Sequence, residues 1–92
     1  MALLSQPEIE TRLAELPGWS QSGEAIEKRF QRGDFVGSVA FVSSLAEPAE
    51  GMNHHPDLAI SWDTVTVTIS THSEGGLTAA DFELAAKIDA LA

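Results

Sequence analysis

From Leu58 to Ile69 apolar and polar residues alternate almost without a break, and this pattern restricts the fold more than any other stretch of the chain. Leu58, Ile60 and Trp62 alternate with Ala59 and Ser61; after Asp63-Thr64, Val65, Val67 and Ile69 alternate with Thr64, Thr66, Thr68 and Ser70. Successive side chains of an extended backbone point to opposite faces, so the spacing predicts a β-hairpin with one apolar and one Thr-rich face. Such a hairpin suits an antiparallel sheet covered on one side. A second period-two run, Ala25 to Arg32, pairs with a short strand at Trp19 through a turn at Ser22-Gly23. Its inner face is Ile26 and Phe30, with Lys28 the exception on that parity.

Three segments read as helices. Ser5-Gln-Pro-Glu8 has the spacing of a capping box with proline in the first turn, and Ile9, Leu13 and Leu16 follow at helical intervals before Pro17-Gly18. This predicts a first helix over about residues 5 to 15. Asp34 is a candidate N-cap for the second helix, where Phe35, Val39, Val42, Ala46 and Ala49 form one stripe expected to be buried. Phe41, Leu45 and Met52 form another row outside that stripe. Either the helix has a wide core-facing surface, or this row meets a helix of another subunit, in which case Leu45→Asp lowers the oligomeric state. Pro48 implies a kink or an early end. Gly75-Gly76 turns the chain, Thr78 caps the third helix, and Asp81 stands at its third position, on the same side as Leu84, Ile88 and Leu91. The expected fold is α+β, a two-layer sandwich with a four-stranded antiparallel sheet and three helices on one face, in the order α-β-β-α-β-β-α. Residues 1–92 form one domain in this reading.

Composition limits the function classes. Fourteen Asp and Glu against five Lys and Arg give a net charge of −9, and only Lys28, Arg29 and Arg32 cluster, so direct nucleic-acid binding is not expected. The chain has no cysteine, which excludes disulfides, thiolate metal sites and thiol nucleophiles. No apolar run approaches the roughly 20 residues of a membrane span. The start, Met1-Ala2-Leu3-Leu4, lacks the basic residues of a secretory signal, and a cytoplasmic protein is expected.

Chemistry concentrates in Glu50-Gly-Met-Asn-His54-His55-Pro56-Asp57. Histidine gives or takes a proton near pH 7, and Pro56 forces His55 into an extended backbone. A reaction that adds a proton at one atom and removes one at another uses two such groups. Adjacent loop histidines are otherwise simply solvated, His72 a surface residue, Asp81 a helix cap and Glu50 a helix-end charge. A metal is a second option for three histidines, but neighbouring His54 and His55 rarely point at a common centre, and no metal site is expected.

Glu50, His54-His55-Pro56, Trp62, His72 and Asp81 stand at the spacing of the pterin-4a-carbinolamine dehydratases, which the chain resembles over most of its length. Leu16-Pro-Gly-Trp19, Phe30 with Asp34-Phe35, Ser70-Thr-His72 and Gly76-Leu-Thr78 with Asp81 are similar in kind and position. The family often has an aromatic where Leu58 stands and an Asn where Ile60 stands. The resemblance implies dehydration of 4a-hydroxytetrahydropterin to quinonoid dihydropterin, with the pterin as substrate and no further cofactor. It implies His54, His72 and Asp81 as the catalytic set, and His55, Glu50, Pro56 and Trp62 as substrate-binding. It also implies a homodimer joined sheet edge to edge or a homotetramer pairing helices. The alternative is a dehydratase-like scaffold serving as regulatory or assembly partner of another protein.

Overall fold

The computed structural model describes residues 2–92. Helix α1 (Gln6–Leu13) leads through a loop to strands β1 (Ser20–Ser22) and β2 (Ala25–Gln31); helices α2 (Phe35–Ser44) and α3 (Ala46–Met52) precede strands β3 (Asp57–Ser61) and β4 (Thr64–Ile69). A single 3₁₀ turn (His72–Glu74) and helix α4 (Ala79–Leu91) complete the chain. The four strands form one antiparallel sheet in the order β1-β2-β4-β3. The two hairpins read from the sequence therefore lie side by side, joined by β2 and β4.

The ends of the helices follow local chemistry. Ser5 and Glu8 cap α1 reciprocally, and the Ser5 amide and hydroxyl hold the Glu8 carboxyl below its ordinary value. Asp34 Oδ1 accepts the Gly37 N–H at 2.6 Å at the start of α2. The expected second helix is two helices, broken at Leu45. Pro48 has no N–H for the Ser44 carbonyl, so the ladder restarts with Pro48 in the first turn of α3, where the missing donor costs little. The loop before β1 turns through Gly18 at φ +88°, a backbone conformation that favours glycine.

The core lies on one face of the sheet. Ile26, Phe30, Val65, Val67 and Ile69 are buried, while Thr64, Thr66 and Thr68 face the other way. Lys28 shares the core parity and escapes it at the edge: its ammonium reaches Asp89 at 3.0 Å and the Pro17 carbonyl at 3.1 Å, passing over the Phe30 ring. The Trp19 indole N–H donates to Asp89 as well, and Trp19, Phe30 and Phe41 pack ring to ring.

Three expectations are corrected. The buried row of the α2–α3 segment is Ser38, Phe41, Leu45 and Ala49, whereas Phe35, Val36 and Val39 are exposed. Phe41 and Leu45 thus belong to the row read as possibly meeting a partner, and Leu45, 1% exposed, is core. The row was misassigned because buried Ser38, whose hydroxyl donates to the Trp62 carbonyl at 2.7 Å, carries no hydropathy signal. The β3–β4 turn is Trp62-Asp63, since Ser61 pairs with Thr64; Trp62 leaves the strand, adopts φ +53° and is exposed. Leu58 and Ile60 face the helix side but remain half-exposed because β3 is an edge strand, and Leu91 is exposed at the end of α4. Leu45→Asp is therefore expected to destabilise the monomer fold by at least about 4 kcal/mol, through lost burial and a buried charge, seen as a large fall in melting temperature.

Candidate functional site

His54, His55, His72 and Asp81 all come from segments that meet at one end of the sheet. Helix α3 ends at Asn53, which adopts the left-handed conformation (φ +50°), and the His54 N–H then bonds the Ala49 carbonyl at 3.0 Å. This tight reversal releases His54 beside the core and His55 toward solvent. Asp57 opens β3 and pairs with Thr68 near the end of β4, so His72, just past β4, emerges at the same end. Asp81, in the first turn of α4, comes to this end from the helix layer.

Asp81 is fully buried, and its carboxylate is saturated by donors. Oδ2 accepts the Thr78 N–H and the Thr71 hydroxyl, both at 2.8 Å; Oδ1 meets His54 Nε2 at 2.6 Å. A carboxylate only accepts hydrogen bonds, which assigns a proton to His54 Nε2 and leaves Nδ1 as the nitrogen open to another group. The His54 side chain keeps 14% of its surface exposed, enough for contact from one side. A buried charge without partners would be costly, so these three donors, the imidazole among them, account for its presence.

The other two histidines have looser partners. His55 Nε2 hydrogen-bonds Glu50 Oε2, both side chains being exposed. Glu50, His55 and Pro56 line one wall of a cavity of about 430 Å³, with Val42, Ala49 and Leu58 among its apolar neighbours. That size is within the range of small-molecule sites. His54 and His72 do not line this cavity. His72 Nε2 is 4.0 Å from Asp57 Oδ2, and its side chain is 77% exposed. Trp62 is not brought to the histidines within one chain, because β3 runs between Pro56 and Trp62, about 20 Å at strand rise. Among the described residues no group of three or more His, Asp or Glu side chains could hold a metal ion. Thr71 and Asp57 were not singled out from sequence. Thr71 had a usable signal: it falls on the buried parity of Val67 and Ile69, where a hydroxyl needs a partner.

Asp81→Asn removes one acceptor from this arrangement. With its oxygen kept toward Thr71 and Thr78, the new amide turns a donor to His54, and the imidazole proton is expected to move from Nε2 to Nδ1. Imidazole ¹⁵N shifts would report the switch, together with a loss of about 2–4 kcal/mol in stability.

Comparisons with known proteins show the family. The family described as Pterin 4 alpha carbinolamine dehydratase matches residues 2–91. The chain is 53% identical over 89 residues to a protein of Thermosynechococcus vestitus named "Putative pterin-4-alpha-carbinolamine dehydratase", covering 97% of this chain and 94% of that one. A protein of the same name from Roseiflexus castenholzii is 51% identical, with 96% and 95% covered. Among solved structures, a transcriptional coactivator/pterin dehydratase from Brucella Melitensis superimposes with a TM-score of 0.94 at 35% identity over 99% of both chains. A pterin dehydratase-like protein identified as a RuBisCO assembly factor in the alpha-carboxysome gives 0.63 at 27% identity, covering 79% of this chain and 84% of that one. With a family match running almost end to end and half of its residues shared with such relatives, the chain belongs to the pterin-4-alpha-carbinolamine dehydratase family.

Proposed function

We propose that this protein dehydrates 4a-hydroxytetrahydropterin to quinonoid dihydropterin and water in the cytoplasm, recycling the pterin used by aromatic amino-acid hydroxylases. Loss of water breaks the C4a–O bond. The departing hydroxyl takes up a proton, a ring N–H gives one up, and the electron pair of that bond forms the C=N double bond. The pterin is the substrate, and neither a metal nor a further cofactor enters the reaction.

The observation that carries this reading is the His54–Asp81 pair. With Nε2 tied to a buried carboxylate, His54 has a fixed orientation and one nitrogen, Nδ1, for proton exchange; Asp81 stabilises the imidazolium whenever that nitrogen is protonated. His72, exposed and loosely held by Asp57, is the second acid/base, free to meet the other proton. His55, Glu50 and Pro56, which line the cavity next along the chain from His54, are the substrate-binding residues of this reading. Trp62 enters this scheme less well, being at the far end of β3.

A scaffold role is the second reading, and the observation in its favour is the structural likeness to a protein identified as a RuBisCO assembly factor. A scaffold would use Asp81 as helix cap and tie between layers but has no use for the open Nδ1 of His54, which favours the enzyme. The two part on a spectroscopic assay of 4a-hydroxytetrahydropterin dehydration. His54→Ala is expected to lower the rate 10²–10⁴-fold while the protein stays folded. A wild-type rate equal to that in buffer would reject the enzyme and leave the scaffold.

The exposed apolar residues Phe35, Val36 and Val39 on α2, beside half-exposed Leu58 and Ile60 on an edge strand, support assembly as a homodimer or homotetramer. Val39→Asp, placed on the surface row, is expected to keep the fold and reduce the mass measured by light scattering. An unchanged mass would remove this row from the interface.

A further inference from the structure

Thr71 is buried and carries two sets of contacts. Its main chain closes the turn that presents His72: the carbonyl accepts the Glu74 and Gly75 N–H groups at 3.0 Å each, and the N–H donates to the Gly76 carbonyl at 3.0 Å. Its hydroxyl lies 2.8 Å from Asp81 Oδ2 and 2.9 Å from Thr78 Oγ1. The proton order of this cluster follows from donor count alone. Asp81 as a carboxylate only accepts, so the single hydroxyl hydrogen of Thr71 goes to Asp81. The Thr78 hydroxyl lies against Thr71 Oγ1, and its oxygen accepts the Ala80 N–H. Thr71 thus donates to one carboxylate oxygen of Asp81 and His54 to the other.

We propose that Thr71 is a positioning residue for the dehydration, acting through Asp81: its hydroxyl locks the Asp81 carboxylate in the rotamer that keeps the His54 proton on Nε2, while its backbone places His72 on the other side. This rests on the dehydratase reading for its catalytic consequence and on geometry alone for its effect on His54. Without the hydroxyl, Oδ2 loses the Thr71 donor and keeps the Thr78 N–H, and the carboxylate is freer to turn about its Cβ–Cγ bond. Thr71 touches neither substrate nor reacting atoms in this arrangement, so kcat is affected and KM is not.

The test compares Thr71→Val, which keeps the shape and removes the hydroxyl, with Thr71→Ser, which keeps it. Imidazole ¹⁵N shifts of His54 are expected to show the Nε2–H form alone in wild type and Thr71→Ser, and a mixture of both neutral tautomers in Thr71→Val. The kcat for dehydration is expected to fall about tenfold or more in Thr71→Val at unchanged KM, with Thr71→Ser close to wild type. A folded Thr71→Val protein with the wild-type tautomer and kcat overturns the proposal. If Thr71→Val does not fold, the wild type still decides: the Thr71 hydroxyl proton must be observable and slow to exchange, and a freely exchanging one overturns the proposal. A wild-type protein that does not dehydrate the pterin rejects the dehydratase reading only, since the tautomer comparison needs no turnover.

Discussion

A charged carboxylate with no solvent exposure is the constraint to which the rest of this structure answers. Asp81 can remain in the interior only because three elements deliver donors to it: the first turn of α4, the segment after β4 and the loop after α3. Each of those donors is fixed by the fold and not by a flexible side chain reaching inward. The Thr78 N–H belongs to the N-cap of α4 and donates to Asp81 Oδ2, and the Thr71 hydroxyl leaves a residue whose backbone closes a turn. The His54 ring follows the left-handed Asn53. The carboxylate therefore serves at once as helix cap, as tie between layers and as the partner of the His54 imidazole.

The sheet accounts for why those elements meet. With β2 and β4 in the middle and the two hairpins antiparallel, the start of β3 and the end of β4 lie at one edge of the molecule. His54, His55 and Asp57 approach that end from α3, and Thr71 and His72 leave it toward α4. The same topology carries Trp62 to the opposite end, where Ser38 holds its strained backbone by the carbonyl. Residues close in the motif are thus separated by a strand, while residues far apart along the chain become neighbours.

Packing against the sheet sorts the apolar residues into two populations. Phe41 and Leu45 join Phe30 and Trp19 in the core, so the side of α2 bearing Phe35, Val36 and Val39 turns outward together with the open edge of β3. An apolar helix face and an unpaired strand edge thus lie exposed on one small acidic protein.

Local rules made much of this legible in advance. Period-two alternation located β2, β3 and β4, the Ser5 and Thr78 capping boxes located two helix starts, and Pro48 marked the break between α2 and α3, because each depends on residues within a few positions of one another. The candidate residues were legible by spacing as a set, and the burial of Asp81 by its place on the same side of the helix as Leu84 and Ile88. Their partners were not. Which row of α2 is buried, which residues form the β3–β4 turn, and which imidazole meets Asp81 depend on contacts between residues 24 to 27 positions apart, as in Ser38 with Trp62 and His54 with Asp81. Hydropathy and propensity are properties of a residue and its near neighbours. The pairing of a buried donor with a buried acceptor is decided only when distant segments are packed together, because only then is water no longer the competing partner.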